Sequence, residues 1–327
     1  MANLIPRTYK QGDESEILRL FKRAFGRELD LNYWNWRFRD NTEGKLQIEL
    51  MFDSNLIAGH YAVSPVRMIC DGKSVLTALS NYTMTHPDYG RRGIFTTLAE
   101  RLYERIVREG GEFVWGFPNQ NSYHGFINRL NWIPVKDIST LMLNAGEFKP
   151  APLKKKFEVE EINYFGPEFD GLWVSLKDKY VGLFRYFVER NVQYLNWRFM
   201  KNPRYKYKIF CAKEGMNYLG YSVVKFYEDE EQVLGDIVDI FCAFDRDVFQ
   251  FLIGESVEYL SQRATKICCW MNEGCEFYRY LKDMGFKESA FVTHFAVRPL
   301  SNFAERECRY LAEYANWYLT MGDSDVY

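Results

Sequence analysis

No apolar run in this chain approaches the roughly 18–20 residues that cross a bilayer. Its opening, "MANLIPRTYK", holds no apolar stretch of the signal-peptide kind. The expectation is a cytoplasmic protein with no membrane partner. Basic blocks are also missing: none is longer than Lys154–Lys156, and the formal net charge is −2. A polyphosphate backbone calls for clustered positive charge, so no nucleic-acid partner is expected. There are only 4 histidines, and the 7 cysteines form no CxxC pair. No metal site is expected, and the thiols read as reduced and buried.

What the sequence does hold is core. Its 327 residues are more than one hydrophobic core usually serves, so two domains are expected. Hydrophobic residues make up 47%, charged ones 26% and aromatics 17%, a globular balance with enough aromatic area to line a cleft.

One phrase is written twice. "LNYWNWRFRDN" begins at Leu31 and "VQYLNWRFMKN" at Val192, and an offset of 161 carries Tyr33, Asn35, Trp36, Arg37, Phe38 and Asn41 onto Tyr194, Asn196, Trp197, Arg198, Phe199 and Asn202. The same offset takes Gly59 onto Gly220 and Val63 onto Val224. Further along, "FINRLNW" from Phe126 resembles "YLKDMGF" from Tyr280 at an offset of 154. A period of this length reads as a duplicated domain, joined through the proline- and lysine-bearing stretch after Gly146. The phrase itself reads as architecture. Trp36 and Trp197 fill space between helix and sheet, and Arg37 and Arg198 cover carbonyls or an acidic partner.

The copies differ in one place. In the first, "LTALSNYTMTHPDYGRRGIFTTLAERLYERIVREGG" reads as a strand ending near Thr85, then a short loop. A helix follows, with Ile94, Leu98, Leu102 and Ile106 on one face, stopped by Gly110 and Gly111. A glycine-bearing loop entering a helix gathers unpaired amide N–H groups at a positive helix end, which suits a pyrophosphate. Arg91 and Arg92 add charge for phosphate oxygens. The second copy has "DIFCAFDRDVFQFL" there, with no glycine, and Asp245 and Asp247 would repel phosphate.

The first-copy stretch resembles the fingerprint of the GNAT superfamily of acyl-CoA-dependent N-acyltransferases, Q/R-x-x-G-x-G/A, with Gly90 and Phe95 departing from the usual residues. The opening "IPRTYKQGDESEILRLFKRAF" is similar to that family's first strand, turn and helix, with Asp13 and Glu16 as its N-terminal capping box. The resemblance implies an α/β fold with a mixed sheet, as two tandem GNAT-like domains of which the second is degenerate. The expected boundaries are residues 1–148, a linker at 149–155, residues 156–300, and a C-terminal helix and tail at 301–327.

It also implies a site. Met84, Thr85, Tyr89, Gly90, Arg91, Arg92, Gly93, Ile94, Phe95, Thr96, Asn119 and Asn121 would hold acetyl-CoA as co-substrate. The amide of Met84 would polarise the thioester carbonyl, a contribution of about 3 kcal/mol for such a donor. The fourth strand has no carboxylate, so Asn81 or Ser80 would hold a proton-relaying water. Tyr123 would stand in for the family's tyrosine acid, whose usual place falls at Ile127. The Tyr327 carboxylate, with Asp323 and Asp325, would supply a base from the tail. The plainer roles are packing for Tyr123 and helix capping for Asn119 and Asn121.

The activity implied is an N-acetyltransferase, moving acetyl from acetyl-CoA to a primary amine of a small molecule such as an amino sugar, aminoglycoside or polyamine-like amine. Two alternatives stand beside it: a non-catalytic acyl-CoA sensor, and an aminoacyltransferase using aminoacyl-tRNA. The negative charge disfavours the latter. A homodimer is left open.

Overall fold

The computed structural model describes residues 3–150, 152–154, 156–228 and 231–327, so Ala151 and Lys155 of the expected linker lie outside the described residues. The first series of elements is β1 (Leu4–Thr8), α1 (Glu14–Phe25), α2 (Leu31–Trp34), β2 (Gln47–Asp53), β3 (Leu56–Cys70), β4 (Lys73–Thr85), α3 (Ile94–Arg108), β5 (Gly111–Gly116), α4 (Gln120–Leu130) and β6 (Ile133–Asn144). The second is β7 (Glu158–Ile162), α5 (Glu168–Val181), β8 (Tyr186–Val188), α6 (Val192–Leu195), β9 (Lys208–Glu214), β10 (Asn217–Glu228), β11 (Val233–Cys242), α7 (Arg246–Leu260), β12 (Lys266–Cys269), α8 (Glu276–Asp283) and β13 (Lys287–Pro299). Three short pieces close the chain: α9 (Asn302–Arg306), α10 (Cys308–Leu311) and β14 (Trp317–Tyr318). The fold is mixed α/β, and β8 apart, the two series run in the same order.

Burial repeats along with order. The offset of 154 carries Ile94, Leu98, Ala99, Leu102, Tyr103 and Ile106 of α3 onto Val248, Leu252, Ile253, Ser256, Val257 and Leu260 of α7, and all of them are buried. The repeated phrase also folds alike twice. An extended N-cap residue, Asp30 or Asn191, accepts the Tyr33 or Tyr194 amide, and one α-turn passes into a π-turn over Asn35–Arg39 or Asn196–Met200. Arg37 packs its guanidinium 4.7 Å from the Trp36 ring centre, and Arg198 donates to the carbonyls of Gly322 at 2.8 Å and Ser324 at 3.2 Å.

The expected capping box at α1 is absent. Asp13 makes no side-chain cap bond, because Arg7 takes both its oxygens at 2.7 Å, a bidentate ion pair stronger than a neutral cap.

The chain divides into two compact units that do not follow its linear halves. Unit 1 comprises residues 1–68, 75–136 and 294–312, and unit 2 comprises 69–74, 137–293 and 313–327. In unit 1 the strands run β1-β2-β3-β4-β5, and β5 is flanked by the end of β13, with Ala296 opposite Gly116. In unit 2, β12 pairs with the end of β6, Cys269 opposite Leu141, and the order continues β11-β10-β9-β7. The last strand of each series thus completes the unit built mainly from the other. Among the described residues no helix is long and apolar enough to cross a membrane. All seven cysteines are free thiols, six of them buried.

Candidate active site

The site begins where two parallel strands part. β4 pairs with β5 from Leu76–Gly111 to Ser80–Gly116, after which β4 runs on to Thr85 without β5, beside β3. Within that stretch Tyr82 takes φ = +49°, a left-handed conformation that side-chain-bearing residues rarely adopt. His60 on β3 meets it: Nδ1 lies 2.7 Å from the Tyr82 carbonyl oxygen. A carbonyl only accepts, so Nδ1 carries the proton and Nε2 is a bare lone pair, buried and without a partner among the described residues. Burial holds the ring neutral and lowers its pKa to about 4.

Beyond β4, a 3-10 turn over Pro87–Tyr89 leads into the loop, braced by the Tyr89 hydroxyl donating to Asp53 at 2.7 Å. Arg92 lies over the Tyr89 ring at 4.9 Å. Gly90 has an ordinary φ of −57°, whereas Arg91 at +62° and Gly93 at +75° are left-handed. The first turn of α3 leaves its amide N–H groups, Ile94 to Thr96, without an intrahelical acceptor at the positive end of a fifteen-residue helix, and the Thr97 amide is the first to bond back, to the Gly93 carbonyl at 3.0 Å. Phe95 does not crowd this cradle. Its ring turns toward Tyr61 at 5.9 Å and Phe126 at 5.2 Å, and Gly125 makes room, since a Cβ there would stand 3.1 Å from that ring.

Residues 6–135 match the family described as "Acetyltransferase (GNAT) domain". That stretch is a GNAT acetyltransferase domain. Solved structures agree in fold. A GCN5-related N-acetyltransferase from Anabaena variabilis superposes with a TM-score of 0.72 at 10% identity, covering 91% of this chain and 73% of that one. A probable N-acyltransferase from Enterococcus faecalis gives 0.71 at 11%, covering 92% and 73%, and Eis1 from Mycobacterium abscessus gives 0.62 at 14%, covering 95% and 76%. At such identities the likeness is one of fold. No curated protein matches this chain in sequence. GNAT enzymes generally use acyl-CoA as co-substrate.

Within the GNAT domain, Met84 is buried and Thr85 half-buried at the end of β4, one turn before the loop. Asn81 is buried; its Nδ2 donates to Ser64 Oγ at 2.9 Å, while its Oδ1 has no partner among the described residues. Asn119 caps α4, its Oδ1 accepting the amides of Asn121 and Ser122, both at 3.0 Å. Asn121 is exposed in the first turn of that helix. Tyr123 lies one turn into α4 with its ring 4.5 Å from the imidazole of His294. His60 and His294 escaped sequence reading because each acts across strands. Nothing within a few residues of His294 in the chain signals Tyr123.

The Tyr327 role needs correction. Its oxygen accepts from Arg198 and its ring lies 5.4 Å from Trp270, all within unit 2. The tail is folded in as an anchor for the guanidinium of the second aromatic phrase and is not a base free to meet an amine. Asp323 is likewise engaged, since Arg190 donates to it at 3.0 Å and to Asp239 at the same distance in a fully buried cluster. Burial pushes the Asp323 carboxyl up against the pull of Arg190.

The second series has no cradle at the corresponding helix start. Asp245 caps α7, taking the Asp247 amide at 2.8 Å, and Asp247 in turn accepts the Lys154 amide at 3.0 Å. Carboxylates of the chain fill the place a phosphate would need.

Proposed function

We propose that the GNAT domain transfers an acetyl group from acetyl-CoA to a primary amine of a small molecule, by direct attack in a ternary complex. The observation that carries this reading is the free amide end of α3, Ile94 to Thr96, behind the glycine- and arginine-bearing loop and beside the parting of β4 from β5. The amides and the Arg91 and Arg92 side chains receive the diphosphate. Pantetheine lies between the parted strands, and the Met84 amide polarises the thioester carbonyl. The amine nitrogen attacks the carbonyl carbon, and the carbon–sulfur bond breaks. The thiolate takes the Tyr123 proton, and a water held by Asn81 Oδ1 accepts the proton the amine loses. Unit 2 serves as scaffold, a duplicated domain whose own helix start is closed by Asp245.

Acetyl-CoA raises the melting temperature of the wild type, and a panel of small primary amines releases free CoA with at least one member. Gly93→Glu places a carboxylate in the cradle and abolishes the thermal shift. Normal acetyl-CoA binding by that variant refutes the loop assignment, and binding without CoA release for any amine favours an acyl-CoA sensor.

A further inference from the structure

The end of β13 carries His294 into unit 1. Ala296 lies opposite Gly116, the residue at which the β4–β5 pairing stops, and β13 runs antiparallel to β5. His294, two residues before Ala296, therefore stands past the last paired residue of β5, at the end where β4 and β5 part. Side chains two apart on a strand share a face. Ala296 belongs to the core cluster that α3 and α4 cover, so His294 faces α4 as well. There its ring lies 4.5 Å from that of Tyr123, with the planes at 42°.

Tyr123 is also tied to the start of α3. Two residues further along α4, Gly125 packs so closely on Phe95 that a Cβ would stand 3.1 Å from its ring. The tyrosine thus touches two borders of the proposed site, the amide end of α3 through Gly125 and the open end of β5 through His294. It is half-buried, and its hydroxyl makes no hydrogen bond among the described residues. No polar contact fixes the direction of this side chain. The imidazole is its one ring partner among the described residues.

The second series shows the same ring where it only packs. The offset of 154 carries Tyr123 onto Phe277 of α8 and Gly90 onto Phe244. Phe277 is 1% exposed and has no hydroxyl; it stacks on Phe244 at 4.8 Å and on Phe249 at 4.3 Å. In unit 1 the residue matching Phe244 is a glycine, so the loop sends no ring against Tyr123. What unit 2 closes with aromatic stacking, unit 1 leaves open and braces from β13 instead.

An acid that must meet a departing sulfur has to be held in place, since a misplacement of about 1 Å can cost about 10²-fold in rate. We propose that His294 is a positioning residue for the acetyl transfer: its flat ring holds the Tyr123 ring so that the hydroxyl stays directed to the leaving sulfur. The proposal rests on the acetyl-transfer reading and extends that site to β13, a strand of the second series.

Steady-state kinetics on the full chain test it, with acetyl-CoA and a panel of spermidine, glucosamine and kanamycin as acceptors. His294→Ala and His294→Gln each lower kcat about tenfold and leave the KM for acetyl-CoA within about twofold, since the ring contact is lost and the cofactor contacts are not. His294→Phe restores a flat partner and keeps kcat within about threefold of wild type. In a Tyr123→Phe background, His294→Ala changes kcat by less than about twofold, because the hydroxyl it positions is gone. A merely structural histidine gives equal losses in both backgrounds. Such equal losses overturn the inference and leave acetyl transfer standing, as does wild-type kcat in His294→Ala or a His294→Phe variant as slow as His294→Ala. Absence of CoA release from the wild type with every amine overturns both.

Discussion

His60 and Tyr82 are joined by a 2.7 Å hydrogen bond from an imidazole N–H to the carbonyl of a left-handed residue. The bond links β3 to the left-handed residue of β4, ahead of the loop that enters α3. A strained residue persists only where its surroundings hold it. His60→Ala is therefore expected to destabilise the protein by roughly 2–4 kcal/mol, from a lost buried bond and a new cavity. It also lowers acetyl turnover more than acetyl-CoA affinity. Urea denaturation and steady-state kinetics on the same variant test both.

The same histidine gives the fold an acid-side limit. It stays neutral in the folded chain down to about pH 4, while the unfolded chain takes up its proton near pH 6.5. Its contribution is thus complete above pH 6.5 and declines as pH falls toward 4, by about 3 kcal/mol in total. His60→Gln should flatten that part of the stability profile. An unchanged slope between pH 7 and 5 would mean another group is responsible.

Arg91 carries a left-handed φ that glycine would adopt without strain. Arg91→Gly is expected to stabilise the chain by about 1 kcal/mol while weakening acetyl-CoA severalfold through a lost phosphate contact. Thermal melts with and without acetyl-CoA separate the two effects, which have opposite signs.

Tyr123, in α4, stands with its ring 4.5 Å from that of His294. If its hydroxyl protonates the departing thiolate, Tyr123→Phe lowers kcat by about 10²-fold and leaves acetyl-CoA binding intact. A packing role predicts little change in kcat at equal stability.

The buried Arg190 holds Asp239 and Asp323 together. Arg190→Met strands two adjacent carboxylates and should cost about 3–5 kcal/mol. Asp323→Asn, which removes one of them, should restore part of that loss when added to the first variant. Paired denaturation curves measure the recovery.

Much of this protein is legible along the chain. The four-residue spacing from Ile94 to Ile106, with the glycines that follow, foretells α3 and its end, because helical contacts lie within one turn. The glycine- and arginine-bearing loop, the loss of that loop in the second copy and the doubled aromatic phrase are local patterns too, each governed by neighbours in sequence. Even so, the loop's strain falls on Arg91 and not on Gly90, a distinction that φ alone reveals. Asp13 likewise reads as a cap until Arg7, on the neighbouring strand, claims it.

What tertiary structure decided is every pairing made across long stretches of chain: His60 with Tyr82, Tyr123 with His294, Arg198 with the closing residues, and β13 beside β5. Strand partners and ion pairs are chosen by where the backbone returns after many residues, and the identity of a residue carries no record of that return. The sequence by itself determined the helices, the glycine-bearing turn and the doubled aromatic phrase, since those depend on forces acting over a few residues. The site's shape, and the tail's engagement with Arg198, came from the packing of distant segments.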